Sequence, residues 1–174
     1  NEDPVRKPHI SISTIGVAFS KNGEDFSDRA VLIAPSEDFD KYGCEDPRVT
    51  KIGDTYYIFY TALSDYPFGP HCIKTAVALS KDLKTIYAKH LVTPFNAKAM
   101  ALFPKKIGDK YTAFITIDTD PGPSKLCIRN FSTLEEIWDQ KKWQKWYQEK
   151  DKYEIVLRRK EKDRLRAIFF LPSS

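Results

Sequence analysis

The sequence predicts an all-β fold of the β-propeller type, and three observations carry that prediction. The turn Ile52-Gly53-Asp54 returns as Ile107-Gly108-Asp109, 55 residues later. A serine closing an apolar run recurs in step as Ser20, Ser80 and Ser132, at intervals of 60 and 52 residues. Between these marks the chain breaks into short strand-like runs, with turn signals every roughly 10 to 15 residues. A repeat of roughly 50 to 60 residues holding about four short strands is what a propeller blade requires. A β-sandwich also uses many short strands, but it gives no reason for a turn and a serine to recur in register.

Residues 1–10 are polar and carry prolines, and read as an entry arm. Ile12 to Phe19 alternates as a strand and ends in Ser20-Lys21-Asn22-Gly23, a turn with hairpin chemistry. Val31 to Ala34 is a short apolar strand closed by Pro35. The next unit places strands near 46–52, 55–63, 72–80 and 85–92, and Tyr111 to Ile117 repeats the second of them. Thr133 to Lys150 changes character: Leu134, Ile137, Trp138, Trp143, Trp146 and Tyr147 are spaced as a helix stripe. Ser132 with Glu135 matches a capping box at its start. Glu154 to Arg159 and Leu165 to Leu171 read as further strands around a solvated Lys160-Glu161-Lys162-Asp163 turn.

The blade-like units fall at about 11–45, 46–95 and 102–159, within one domain over 1–174. A propeller closes with about four blades or more. The expectation is therefore a partial propeller, either the N-terminal part of a larger one or a form closed by self-association, so a homo-oligomer is expected.

The 174 residues carry a net charge of +4, with acids interleaved among the bases, which excludes a nucleic-acid groove as the natural reading. No apolar run approaches the roughly 20 residues that span a bilayer, and Asn1-Glu2-Asp3-Pro4 does not read as a signal peptide. Cys44, Cys72 and Cys127 are an odd number at wide spacing, which argues against a disulfide framework and a zinc site and for a reducing, cytoplasmic home. His9, His71 and His90 lack metal-ligand spacing, so no metal or cofactor is expected.

The densest chemistry is Gly43-Cys44-Glu45-Asp46-Pro47-Arg48. Pro47 favours an extended Asp46, and alternation then sends Glu45 and Asp46 to opposite sides of the backbone. One carboxylate can lean into a cleft while the other pairs with Arg48 or caps an amide. Ordinary turn chemistry with a salt bridge is the plain alternative. Tyr60 and Phe68 are candidate stacking partners for a sugar, or else core packing, and His71 is a candidate for the cleft wall or a surface loop residue.

Gly-Cys-Glu-Asp-Pro-Arg, followed by the Lys-Ile-Gly-Asp turn and an aromatic strand, resembles the signature of glycoside hydrolase family 130, the β-1,4-mannooligosaccharide phosphorylases. The resemblance runs from Ser13 to about Arg159 and covers only the first half or so of a complete member. It implies a five-bladed β-propeller, Asp46 as general acid for inverting cleavage of β-mannosides, and a proton that travels through a sugar hydroxyl. Hydrolases of this kind need a second carboxylate to activate water, whereas phosphorylases need cations around phosphate. Lys98 matches the family's basic phosphate position, and Arg48 joins it as an expected substrate or phosphate ligand. Ala99 stands where Asn or Asp is expected, and Thr116 where the phosphorylases have Arg. These departures weaken phosphorolysis and bring in hydrolysis, for which Asp118 and Asp120 are candidate carboxylates. The expected partners are an oligosaccharide and inorganic phosphate as co-substrate. The rival reading is a truncated, non-catalytic carbohydrate-binding or assembly fragment.

Overall fold

The computed structural model describes residues 11–119 and 123–153. Among the described residues, nine strands form three antiparallel sheets. Strands β1 (Ile15–Phe19) and β2 (Ser27–Ile33) make the first. The second is a four-stranded meander of β3 (Gly43–Ile52), β4 (Thr55–Leu63), β5 (Ile73–Ser80) and β6 (Ile86–Leu91). The third comprises β7 (Ala97–Leu102), β8 (Tyr111–Ile117) and β9 (Lys125–Phe131). The all-β expectation holds, and the strands expected from the repeat fall within a few residues of those observed. The expected strands at 154–159 and 165–171, the entry arm and Asp120 lie outside the described residues.

The two Ile-Gly-Asp turns are the tips of equivalent hairpins. Ile52 pairs with Thr55 and Ile107 with Lys110, which leaves two-residue loops headed by Gly53 and Gly108. Both glycines have left-handed φ, 60° and 62°, the conformation that such tight loops ask of their first residue. The recurring serines mark another repeated turn. Ser20 Oγ accepts from the amides of Asn22 and Gly23, and Ser80 Oγ from those of Asp82 and Leu83. Asn22 and Asp82 then each accept from two further amides, so side chains replace the missing ladder bonds. The strand pairs match too: Gly16 opposite Val31 and Val17 opposite Ala30 repeat, 60 residues on, as Ala76 opposite Leu91 and Val77 opposite His90.

Alternation on β4 and β5 sends side chains to both faces, and both faces are covered. Ile58, Tyr60, Ala62, Ala76 and Ala78 pack on Ile15 and Ile33 of the first sheet. Tyr57, Phe59, Val77 and Leu79 pack on Met100, Leu102, Ala113, Ile115 and Ile117 of the third. Strands β3 and β7 are neighbours, joined where Thr50 Oγ1 donates to the Leu102 carbonyl at 2.7 Å.

The third unit departs after Ser132. The stripe predicts one helix, but the chain makes a 3-10 turn over Glu135–Trp138 and then α1, Gln140–Gln148. Ser132 does not cap it: Glu136 Oε2 accepts from the Ser132 amide, and Asp139 caps α1 by accepting from the Lys142 amide at 3.0 Å. Asp139 breaks the helical run because its own extended backbone frees the carboxylate for the cap. Trp143 and Trp146 are buried against the core, and the buried Arg129 guanidinium lies 4.4 Å from the Trp143 ring.

Candidate active site

Asp46 sits where β3 is interrupted. Glu45 pairs with Thr61 and Arg48 with Phe59, so Asp46 and Pro47 together face the single residue Tyr60. This is a β-bulge. The extended Asp46 that Pro47 favours is corrected here: its φ is +50°. The extra residue has to be absorbed locally, and aspartate tolerates the left-handed region better than most side chains.

The two carboxylates have separate surroundings, although the bulge ends the alternation that would have sent them to opposite sides and both border one cleft. Glu45 is half-buried and accepts from Ser13 Oγ at 2.8 Å. Asp46 is exposed and lines an open cleft of about 420 Å³ with Glu45, Pro47, Cys44 and Ser13 to Gly16. Arg48 donates to the main-chain carbonyl of Asp46 at 3.2 Å and thereby ties the bulge across its own base.

Behind the bulge lies a charged cluster that the sequence did not reveal. Asp40 is wholly buried. Its Oδ1 accepts from the Ser36 and Glu37 amides at 3.0 and 2.9 Å, and its Oδ2 from Tyr60 Oη at 2.8 Å. Lys89 forms an ion pair with it and also donates to Ala34 O and Ser36 Oγ. Burial alone pushes the Asp40 carboxyl up, but the donors from Lys89, the two amides and Tyr60 outweigh it and hold it below the usual range. Burial and the nearby Asp40 charge push the Cys44 thiol up to about 12, so it stays protonated. The available signal was Asp40 lying six residues before Asp46, but nothing in the sequence pairs it with Lys89, 49 positions away.

The remaining candidates divide. Tyr60 is corrected as a sugar-stacking residue: it is 2% exposed and its hydroxyl serves Asp40, so its ring is not open to a ligand. His71 is exposed in the loop between β4 and β5, with Nε2 4.0 Å from Asp65. Lys98 is half-buried on β7 in register with Thr116, so the two positions that the resemblance linked to phosphate do face each other across a strand pair. Asp118 is committed elsewhere: its carboxylate accepts from Tyr147 Oη and from Lys150 Nζ, which pins the end of α1 to the end of β8. Asn96 ties the same end together, donating to Pro70 O at 2.7 Å and accepting from Thr119.

A family model described as β-1,4-mannooligosaccharide phosphorylase matches residues 6–139, a stretch that includes the bulge, the cleft and Lys98. The chain belongs to that family. A β-1,2-mannobiose phosphorylase of Listeria innocua is 37% identical over 105 residues, which cover 59% of this chain and 28% of the relative. In Thermoanaerobacter sp. strain X514, a β-1,2-mannobiose phosphorylase is 32% identical over 118 residues, 66% of this chain and 37% of the relative. A 1,2-β-oligomannan phosphorylase from the same organism is 37% identical over 102 residues, 58% and 33%. The solved Listeria innocua β-1,2-mannobiose phosphorylase in complex with β-1,2-mannobiose superposes with a TM-score of 0.55 at 28% identity, covering 70% of this chain and 33% of that one. The chain thus spans about a third of the length of the mannooligosaccharide phosphorylase relatives it matches.

Proposed function

We propose that this chain carries the acid-bearing sector of a β-mannoside phosphorylase and that Asp46 is its general acid. The observation that supports this most is the bulge. It takes a charged residue out of the strand ladder and sets it on a cleft wall, while Glu45 beside it is held by Ser13. A left-handed aspartate costs of order 1–2 kcal/mol and persists only where the surroundings fix it, a condition that gathers at functional sites. The ladder pairs on both sides of the bulge and the Arg48 bond to the Asp46 carbonyl supply that constraint.

In this reading the sugar lies across the cleft, and Asp46 delivers a proton to the departing oxygen, through a sugar hydroxyl, while phosphate attacks from the opposite face with inversion. Phosphate is favoured over water because the named relatives are phosphorylases, and a β-1,2 linkage because all three carry it in their names. Lys98 is the cation this sector would bring to the phosphate, and Arg48 braces the acid. The face-to-face sheets and the adjacent inner strands fit a sector of a five-bladed propeller.

Incubation with β-1,2-mannobiose, with and without inorganic phosphate, tests the reading. Mannose 1-phosphate formed only in the presence of phosphate supports it. Free mannose formed equally in both supports a hydrolase, and sugar binding without turnover supports the non-catalytic fragment.

A further inference from the structure

The loop from Ser64 to Cys72 joins β4 to β5 at the end of the sheet where β3 begins. Gly43 pairs with Leu63 there, and the Tyr42 amide donates to the Leu63 carbonyl at 3.0 Å. Three aromatic rings gather at this end. Tyr66 and Phe68 meet edge to face at 5.4 Å, and Tyr42 lies 6.4 Å from Tyr66. Tyr66 remains 40% exposed and Phe68 49% exposed.

This loop is held in shape. The Ser64 amide and hydroxyl both donate to the Cys72 carbonyl, at 2.9 and 3.1 Å, and the Tyr66 amide donates to Asp65 Oδ1. Asn96, just before β7, donates to the Pro70 carbonyl. Rings fixed on a braced loop yet left open to solvent keep apolar surface in water. At their rim, Asp65 and His71 stand 4.0 Å apart with both side chains mostly exposed. An apolar ring face edged by hydrogen-bonding groups complements a pyranose, which has a C–H face and a hydroxyl rim. Asp46 lies three residues along β3 from Gly43, about 10 Å at the strand rise.

We propose that Tyr66 and Phe68, backed by Tyr42, form a stacking platform for a sugar ring of a β-linked oligosaccharide beyond the bond presented to Asp46. The platform rests on the β-mannoside reading and adds a preference for chain length. The occupant is a sugar because the flanking groups are polar and the rings are few. An interface with a second copy is the outcome that would displace it.

Isothermal titration of the wild-type chain with β-1,2-mannobiose and β-1,2-mannotetraose, repeated with Phe68→Ala and Phe68→Tyr, tests the proposal. The wild type is expected to bind the tetraose roughly tenfold more tightly. Phe68→Ala should lose that advantage while keeping its affinity for the biose, and Phe68→Tyr, which retains the ring, should keep both. A tetraose advantage that survives Phe68→Ala, equal wild-type affinity for the two sugars, or a Phe68→Ala change in self-association in place of sugar binding overturns the platform and leaves the mannoside reading intact. A wild type that binds neither sugar overturns both.

Discussion

Asp46 and Ala99 occupy the same position on neighbouring strands. Asp46 and Pro47 face Tyr60 alone, Ala99 and Met100 face Ile115 alone, and the two leading residues have φ values of +50° and +57°. One bulge carries a carboxylate. The other keeps the strained backbone with only a methyl group to show for it.

That difference predicts a stability change. Alanine in the left-handed region costs about 1–2 kcal/mol, whereas glycine adopts it freely at some cost in chain entropy. Ala99→Gly should therefore raise the free energy of unfolding by about 0.5–1 kcal/mol, seen as a higher urea midpoint at unchanged slope. A lower midpoint would show that the bulge does not hold Ala99 as described.

The Asp40 cluster should behave as one unit. Tyr60→Phe removes a hydrogen bond to a buried charge and should cost about 1–3 kcal/mol. Lys89→Met strands that charge and should cost about 3–5 kcal/mol. Asp40→Asn combined with Lys89→Met should cost less than the sum of the two single changes, because the pair is desolvated together. Additive costs in a double-mutant cycle would contradict the coupling.

The same carboxylate sets an acid limb. Its folded value lies below the ordinary 3.8, so the unfolded chain binds more protons in that interval. Its stabilising contribution is full above the unfolded value and is lost as pH falls from about 3.8 through the lowered folded value. Chemical denaturation between pH 5 and pH 2, values chosen to bracket that interval, should show wild-type stability falling more steeply than that of Asp40→Asn. Parallel curves would assign the limb to other groups.

The repeat and its turns were legible in the sequence because glycine and serine each answer a local demand: Gly53 and Gly108 head two-residue loops, and Ser20 and Ser80 accept adjacent amides. The motif was legible as chemistry, though its backbone was not. Pro47 biases Asp46 toward extension, but the register between β3 and β4 is fixed by the whole sheet, and the surplus residue collects at the bulge. From the sequence Tyr60 is either a sugar-stacking ring or core packing, because an aromatic on a strand can serve either face. It shares the buried face with Ile58 and Ala62, where its hydroxyl donates to Asp40, 20 positions earlier. Asp139 overrode the helix stripe for a similar reason, since a cap is a local bond that periodicity does not encode.

Buried aromatic packing should dominate the docking of α1. Trp143 is fully buried, contacts the Arg129 guanidinium and donates its indole N–H to the Ile137 carbonyl at 2.7 Å. Trp143→Ala should destabilise the fold by about 3–5 kcal/mol, while Lys145→Ala on the exposed side of α1 should change stability by less than about 0.5 kcal/mol. Similar thermal shifts for the two would mean that the helix is not docked as described.

The most direct test is the rate of mannose 1-phosphate release from β-1,2-mannobiose by the wild type and by Asp46→Asn, with circular dichroism confirming that both are folded. The account predicts phosphate-dependent turnover that Asp46→Asn lowers by about 10²- to 10⁴-fold, the usual worth of a general acid. A folded Asp46→Asn chain that turns over at the wild-type rate would contradict it.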